Sequence, residues 1–149
     1  MILNRQHEVR VARPPLESFL RRVKRELGLG RSAVTVCLVS DEEMARLNES
    51  FRRKKGPTDV LSFPAEPRRT RRRRVKGENR REAGGELGDI AISPAAARRY
   101  AKKNDRKLVD ELRVLVLHGV LHLLGYDHET DRGEMDRLEQ RLRKRLGIA

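Results

Sequence analysis

Apolar residues recur every three or four positions in several stretches of the chain, the spacing of one face of an α-helix. The clearest stretch runs from Pro14 to Leu27, and Gly28 follows it as a helix stop. Ser40 and Glu43 form a capping box, which indicates the start of a short helix. The pattern predicts helices over 14–27, 40–48, 94–103 and 108–124, and a last helix that is capped at Thr130.

Shorter runs rich in β-branched residues predict strands. These runs are 34–39, 59–63 and 86–93. Residues 2–11 could form an opening strand, although the alternation of apolar and polar residues there is weak. Gly88 either weakens the third run or marks a close approach of another segment. Strands occupy the first two thirds and helices dominate the last third, so we expect an α+β protein rather than a regular alternation of strand and helix.

The composition fits one domain over residues 1–149 in a reducing compartment. No apolar run reaches the ~18 residues of a membrane span, and the start has no signal-peptide hydrophobic region, so we expect a cytoplasmic protein. The one cysteine, Cys37, excludes an internal disulfide and is more typical of a core thiol than of a metal ligand. A net charge of +13 favours nucleic acid over a membrane as partner. No Trp, two Tyr and three Phe disfavour base-stacking surfaces of the RRM or OB type.

Residues 65–85 hold nine basic and three acidic residues, a net charge of +6, and have no core pattern. We interpret the segment as a flexible loop between two strands, with an RNA-binding run at its centre. The alternative is a solvated run that adds only solubility. The candidate RNA-binding residues in this loop are Arg71, Arg72, Arg73 and Arg74.

Three of the four histidines lie within eleven residues: His118, His122 and His128. The first two are four apart on a predicted helix and share a face, and Gly125 lets the chain turn back towards that face. Three imidazoles suit Zn²⁺ with a fourth position open, as in catalytic sites. Zinc in such a site lowers the pKa of bound water to about 7. The alternative, three ordinary core histidines, is less favoured at this spacing.

The histidine spacing equals that of metzincin proteases, H-E-x-x-H-x-x-G-x-x-H. The protease motif has its general base beside the first histidine, and Gly119 stands there in this chain. A metalloprotease is therefore the weaker hypothesis. Arg52 lies between a helix and a strand, where its guanidinium could contact a phosphate or remain solvated.

The chain resembles the YbeY family of bacterial metal-dependent endoribonucleases, the rRNA maturation factors. Three blocks spread over most of the chain carry the resemblance: Leu47-Asn48 to Phe51-Arg52 with Pro57-Thr58-Asp59-Val60-Leu61-Ser62-Phe63-Pro64; Leu87-Gly88-Asp89-Ile90; and His118-Gly119 through Leu121-His122-Leu123 to Gly125-Tyr126-Asp127-His128.

The resemblance implies a mixed four-stranded sheet under about five helices and a zinc site at the three histidines. It also implies cleavage of single-stranded RNA in 16S rRNA 3′-end maturation, ribosome biogenesis and ribosome quality control. The implied partners are the small ribosomal subunit, one of its proteins and an assembly GTPase. Arg52 and His118 are then the candidate catalytic residues. Asp127 either orients an imidazole or is an ordinary turn residue. A noncatalytic RNA-binding assembly factor remains a further alternative.

Overall fold

The strands and helices follow one another in the order that the sequence pattern predicts. The computed structural model describes residues 1–52, 58–65, 85–127 and 130–148. Within these residues the elements are β1 (Ile2–Asn4), α1 (Arg13–Glu26), β2 (Ser32–Leu38), α2 (Asp41–Arg52), β3 (Val60–Pro64), β4 (Gly85–Ile92), α3 (Pro94–Lys103), α4 (Leu108–Leu123) and α5 (Glu134–Leu146).

The strands form one sheet in the order β1-β2-β4-β3. β1 pairs parallel with β2 and β2 parallel with β4, whereas β3 pairs antiparallel with β4. The sheet is therefore mixed and four-stranded, and with the five described helices it confirms the expected α+β class. Strand β3 is an edge strand of this sheet.

The main core lies between one face of the sheet and helix α4. Alternate residues of the two central strands, such as Val36 and Ile90, point into it and are fully buried. Helix α4 contacts β3 and β4 on one side and α1, α3 and α5 on others. This enclosure explains why its sequence is apolar almost all round: no broad face of the helix meets water.

The opposite face of the sheet carries a smaller cluster under α2. Val39, Met44, Leu61 and Ala91 are its buried members. Cys37 packs against this cluster and is half-buried, and burial raises the pKa of its thiol. The cysteine is therefore partly buried at the margin of this cluster, less enclosed than the core thiol that the sequence predicts.

Several element ends differ from the sequence-based predictions. Helix α2 runs to Arg52 rather than to residue 48, so Arg52 ends this helix instead of lying between a helix and a strand, and β2 begins at Ser32 rather than at residue 34. Helix α5 begins at Glu134 rather than after Thr130, because both carboxylate oxygens of Asp131 accept backbone N–H groups, from Gly133 and Met135. Gly85, predicted as part of the Arg-rich loop, is the first residue of β4 and pairs with Ser32. The rest of that loop from residue 66 to 84 lies outside the described residues. No helix in the described part of the chain is long and apolar enough to cross a membrane.

Candidate active site

Helix α4 presents His118 and His122 on one face, near its C-terminal end. Their Nε2 atoms are 3.0 Å apart, and the rings meet edge to face with centroids separated by 4.5 Å. Both residues are partly exposed. The predicted convergence of these two imidazoles is therefore present in the structure.

The other nitrogen of each ring is held by an acceptor. Nδ1 of His122 lies 2.9 Å from the carbonyl oxygen of Tyr126, and Nδ1 of His118 lies 2.9 Å from Oε1 of Glu139. A carbonyl or carboxylate oxygen only accepts, so both Nδ1 atoms carry the hydrogen and donate it. We assign this tautomer from the hydrogen-bond network. In neutral imidazoles it leaves a lone pair on each Nε2.

The turn after α4 puts the Tyr126 carbonyl in place. Gly125 has φ 100°, the left-handed region that few other residues enter readily. Tyr126 N donates to Leu121 O at 3.1 Å, and Gly125 N donates to His122 O at 3.0 Å, the Schellman pattern. The glycine therefore ends the helix and folds the chain back over the histidine face, as its position in the sequence predicts.

Two lone pairs that face each other at 3.0 Å repel unless a cation lies between them, either a metal ion or a shared proton. Tetrahedral zinc with bonds of about 2.0–2.1 Å holds its ligand nitrogens about 3.3 Å apart. The donor set and the fixed tautomers of His118 and His122 thus fit a zinc ion. His128, the third predicted ligand, lies outside the described residues. No cluster of three His, Cys, Asp or Glu that could hold a metal occurs among the residues described.

Gly119 lies where helix α4 presses against the sheet. A Cβ at this position would be 2.8 Å from Cγ2 and 2.9 Å from Cδ1 of Ile90. Next to it, the Ser62 hydroxyl of β3 donates to the Gly119 carbonyl at 3.0 Å. A larger side chain at this position would require Ile90 or the helix to shift, and glycine itself cannot supply the base that the protease motif requires.

The other predicted site residues lie in different parts of the chain. Arg52 is the last residue of α2, and its side chain lies outside the described residues, as do Arg71 to Arg74. The carbonyl of Asp127 accepts from Thr130 N at 3.2 Å and Asp131 N at 3.0 Å, which makes it part of the turn towards α5. The acceptors described for the imidazoles of His118 and His122 are Glu139 and the Tyr126 carbonyl, and a role of Asp127 in orienting an imidazole stays a prediction. His7, the fourth histidine of the chain, is exposed.

Sequence reasoning missed two buried carboxylates near α4. Glu139 is only 9% exposed and contacts His118; Glu111, on α4 itself, is 4% exposed. Glu111 forms an ion pair with Arg106, whose Nε lies 3.5 Å from Oε2. Burial raises the pKa of Glu111, an effect that Arg106 opposes. The sequence does contain one indication that these glutamates are buried. Each of them stands among residues that the helical pattern assigns to the core.

The fold and the site together define the class of this protein: a small α+β protein in which a buried helix packs on a mixed sheet and carries a pair of histidines as a candidate hydrolytic centre. The family profile described as "Endoribonuclease YbeY" matches residues 1–147. A curated "Endoribonuclease YbeY" of Koribacter versatilis is 43% identical over 99% of this chain and 86% of its own length. One from Aquifex aeolicus is 38% identical over 80% of this chain and 72% of its own length.

A solved structure shows the same fold. The solution structure of a Thermotoga maritima protein matches 98% of this chain and 89% of its own, with a TM-score of 0.61 and 28% identity. The profile match and the sequence identities show that the chain belongs to the YbeY endoribonuclease family.

Proposed function

We propose that this protein is an endoribonuclease that cleaves single-stranded RNA with a zinc ion held by His118, His122 and His128. One observation carries the metal assignment: two Nε2 atoms converge at 3.0 Å while both Nδ1 atoms are engaged by acceptors. Family membership supports the nuclease activity, and RNA as substrate follows from it. The third ligand rests on the spacing of the histidine motif.

The residues of this chain have separable roles in the proposed reaction. A bound zinc ion would supply Lewis-acid activation of water or of a phosphoryl oxygen. Glu139 and the Tyr126 carbonyl hold the imidazoles of His118 and His122 in the orientation that binding needs. Arg52 offsets the negative charge that develops on the phosphate. The attacking group is either water or the RNA 2′-hydroxyl, since the histidine motif contains no carboxylate base.

We further propose that the enzyme acts in 16S rRNA 3′-end maturation, ribosome biogenesis and ribosome quality control. Its partners would be the small ribosomal subunit, one of that subunit's proteins and an assembly GTPase. These proposals follow from the family resemblance, and the net charge of +13 supports contact with rRNA.

The test is cleavage of a labelled single-stranded RNA, with casein as the competing substrate. We expect RNA cleavage that a chelator abolishes and added Zn²⁺ restores, and no casein hydrolysis. The variant His122→Ala, purified identically, should lose cleavage, which also controls for contaminating ribonuclease. His7→Ala is the matched control, because His7 is exposed.

The same assay separates the rival functions. Casein hydrolysis without RNA cleavage would establish a metalloprotease, against which the glycine at position 119, in place of the motif's glutamate, already argues. RNA binding without cleavage by zinc-loaded protein would establish a noncatalytic assembly factor. Cleavage that persists in His122→Ala would contradict the proposed centre.

A further inference from the structure

Glu139 occupies a core position on helix α5. The buried residues of this helix follow one stripe at intervals of three or four: Met135, Glu139, Leu142 and Leu146. A leucine would be expected where Glu139 stands. Burying a carboxylate costs free energy unless a partner compensates for the lost water, so a glutamate in this stripe calls for a specific interaction.

The compensating interaction is with His118. Oε1 of Glu139 accepts from Nδ1 of His118 at 2.9 Å, and both side chains are largely shielded, with exposed fractions of 12% and 27%. The contact joins α5 to α4 and fixes both the rotation of the imidazole ring and the nitrogen that carries its hydrogen. Nε2 is thereby directed at Nε2 of His122, 3.0 Å away.

The two histidines are oriented by acceptors of different strength. His122 donates to a neutral backbone carbonyl that the turn at Gly125 supplies. His118 donates to a carboxylate, which raises the basicity of the imidazole and its strength as a ligand. A change at position 139 therefore alters one ligand electronically while the other keeps its backbone acceptor.

We infer that Glu139 is a positioning residue that holds His118 as the Nδ1–H tautomer and so sets the affinity of the histidine centre for a divalent cation. The inference rests on the proposed function, because it takes the histidine pair as a metal centre. Glu139 is not proposed to contact the substrate. It acts through His118 alone.

The test compares Glu139→Leu, Glu139→Gln and the control Asp136→Asn, an equal charge change at an exposed position of the same helix. Zn²⁺ affinity is measured by competition with a chromophoric chelator. Glu139→Leu should weaken binding about 10- to 100-fold. Glu139→Gln, which keeps an acceptor oxygen, should lose less, and Asp136→Asn should bind as the wild type does.

Two further readouts separate positioning from a structural role. Leucine adds apolar burial to the stripe, whereas the Nδ1–H of His118 loses its acceptor; because these two effects oppose each other, the Tm of the metal-free Glu139→Leu protein should change little. Imidazole ¹⁵N shifts of the metal-free protein should show Nδ1–H at His118 in the wild type and a mixture of tautomers in Glu139→Leu.

Wild-type Zn²⁺ affinity with unchanged ¹⁵N shifts in Glu139→Leu would overturn the inference. A lowered Tm with no loss of affinity would assign Glu139 a structural role and overturn it as well. If the wild type itself binds no Zn²⁺, the proposed centre fails and the affinity claim fails with it. The ¹⁵N shifts would then decide the tautomer claim alone.

Discussion

Arg52 ends helix α2, and Arg53, Lys54 and Lys55 follow it in the sequence. If Arg52 stabilises charge on the phosphate, Arg52→Lys keeps the charge and loses the bidentate fork. We expect turnover to fall at least about tenfold, less than the about 100- to 1,000-fold of losing a whole oxyanion donor. RNA affinity should change little.

The matched control is Arg53→Lys, which makes the same change one residue further on. It should leave single-turnover cleavage close to wild type. Equal weakening of RNA binding by Arg52→Ala and Arg53→Ala, with turnover unchanged, would assign Arg52 to the general basic surface instead.

Gly119 lets α4 approach the sheet closely. In an exposed helix Gly→Ala would stabilise by about 1 kcal/mol. Here the added methyl would lie 2.8 Å from Ile90, so we expect Gly119→Ala to destabilise by about 1–3 kcal/mol, measured by urea unfolding.

A double-mutant cycle identifies the cause of that loss. The alanine at position 119 should cost less in an Ile90→Ala background, where the two clashing branches of Ile90 are absent. A Gly119→Ala protein at least as stable as the wild type would show that the helix can move away, and would contradict the tight packing.

The sequence was sufficient to predict that the imidazoles of His118 and His122 converge and that Gly125 ends the helix, and these two geometric predictions are confirmed. Metal binding and the position of His128 stay predictions. A period of four on a helix and a glycine at its end are local features. The role of Glu139 could not be predicted from such local features. Its partner His118 is 21 residues away, and a glutamate on an amphipathic helix is normally solvated. Only the tertiary contact of α4 with α5 reveals its role.

At the scale of elements, Asp41 joins α2 to α3. Its Oδ2 accepts from Arg99 at 2.7 Å, and its Oδ1 accepts from the Ser93 hydroxyl at 2.7 Å. Ser93 also caps α3 by accepting from Ala96 N. The hydrogen bond from Arg99 holds the pKa of Asp41 below its usual value, and the bond from Ser93 adds to this effect.

A lowered folded-state pKa fixes the sign of the pH dependence. The contribution of Asp41 is present in full above the unfolded pKa of about 3.9 and is lost as pH falls through the lower folded value. We expect Asp41→Asn to destabilise by about 0.5–1 kcal/mol at pH 7, since solvent screens the pair. The difference from wild type should shrink below about pH 4.

Glu42→Gln is the control, because Glu42 forms an exposed ion pair with Arg46 one turn along the same helix. Urea unfolding at several pH values should show little change for this variant. A pH-independent loss in Asp41→Asn would mean that the ionised carboxylate contributes nothing beyond its shape.

Element types were predictable from the sequence, while some ends were not. The start of α5 depends on Asp131, whose carboxylate accepts from Gly133 and Met135. Thr130 stands one residue earlier and can cap a helix in the same way as Asp131. The sequence alone therefore does not show which of the two residues determines where α5 begins. The sheet order could not be read locally either, because parallel pairing of β2 with β4 joins distant residues.

For the whole molecule, the Arg-rich loop is predicted to add RNA affinity without taking part in cleavage. Replacing Arg71, Arg72, Arg73 and Arg74 with serine should reduce the log–log salt slope of single-stranded RNA binding by up to about 3, from about 0.7 per phosphate contact. Single-turnover cleavage at saturating RNA should remain close to wild type.

The control removes the same charge elsewhere, at four exposed cations of α1 and α5: Arg21, Arg25, Arg141 and Lys144. Glutamine is used there, because serine is a poorer helix former. The control should leave the slope nearly unchanged. Equal slopes for the loop variant and the wild type would show that the loop does not engage RNA.

The proposed reaction depends on the histidine pair on α4 belonging to a metal centre. The most direct measurement is elemental analysis of protein purified without chelator or nickel resin. We expect about one Zn²⁺ per chain in the wild type and in His7→Ala. His122→Ala should retain much less while keeping its fold by circular dichroism. Undiminished zinc in folded His122→Ala, or none in the wild type, would overturn the assignment of the histidine pair to a zinc centre.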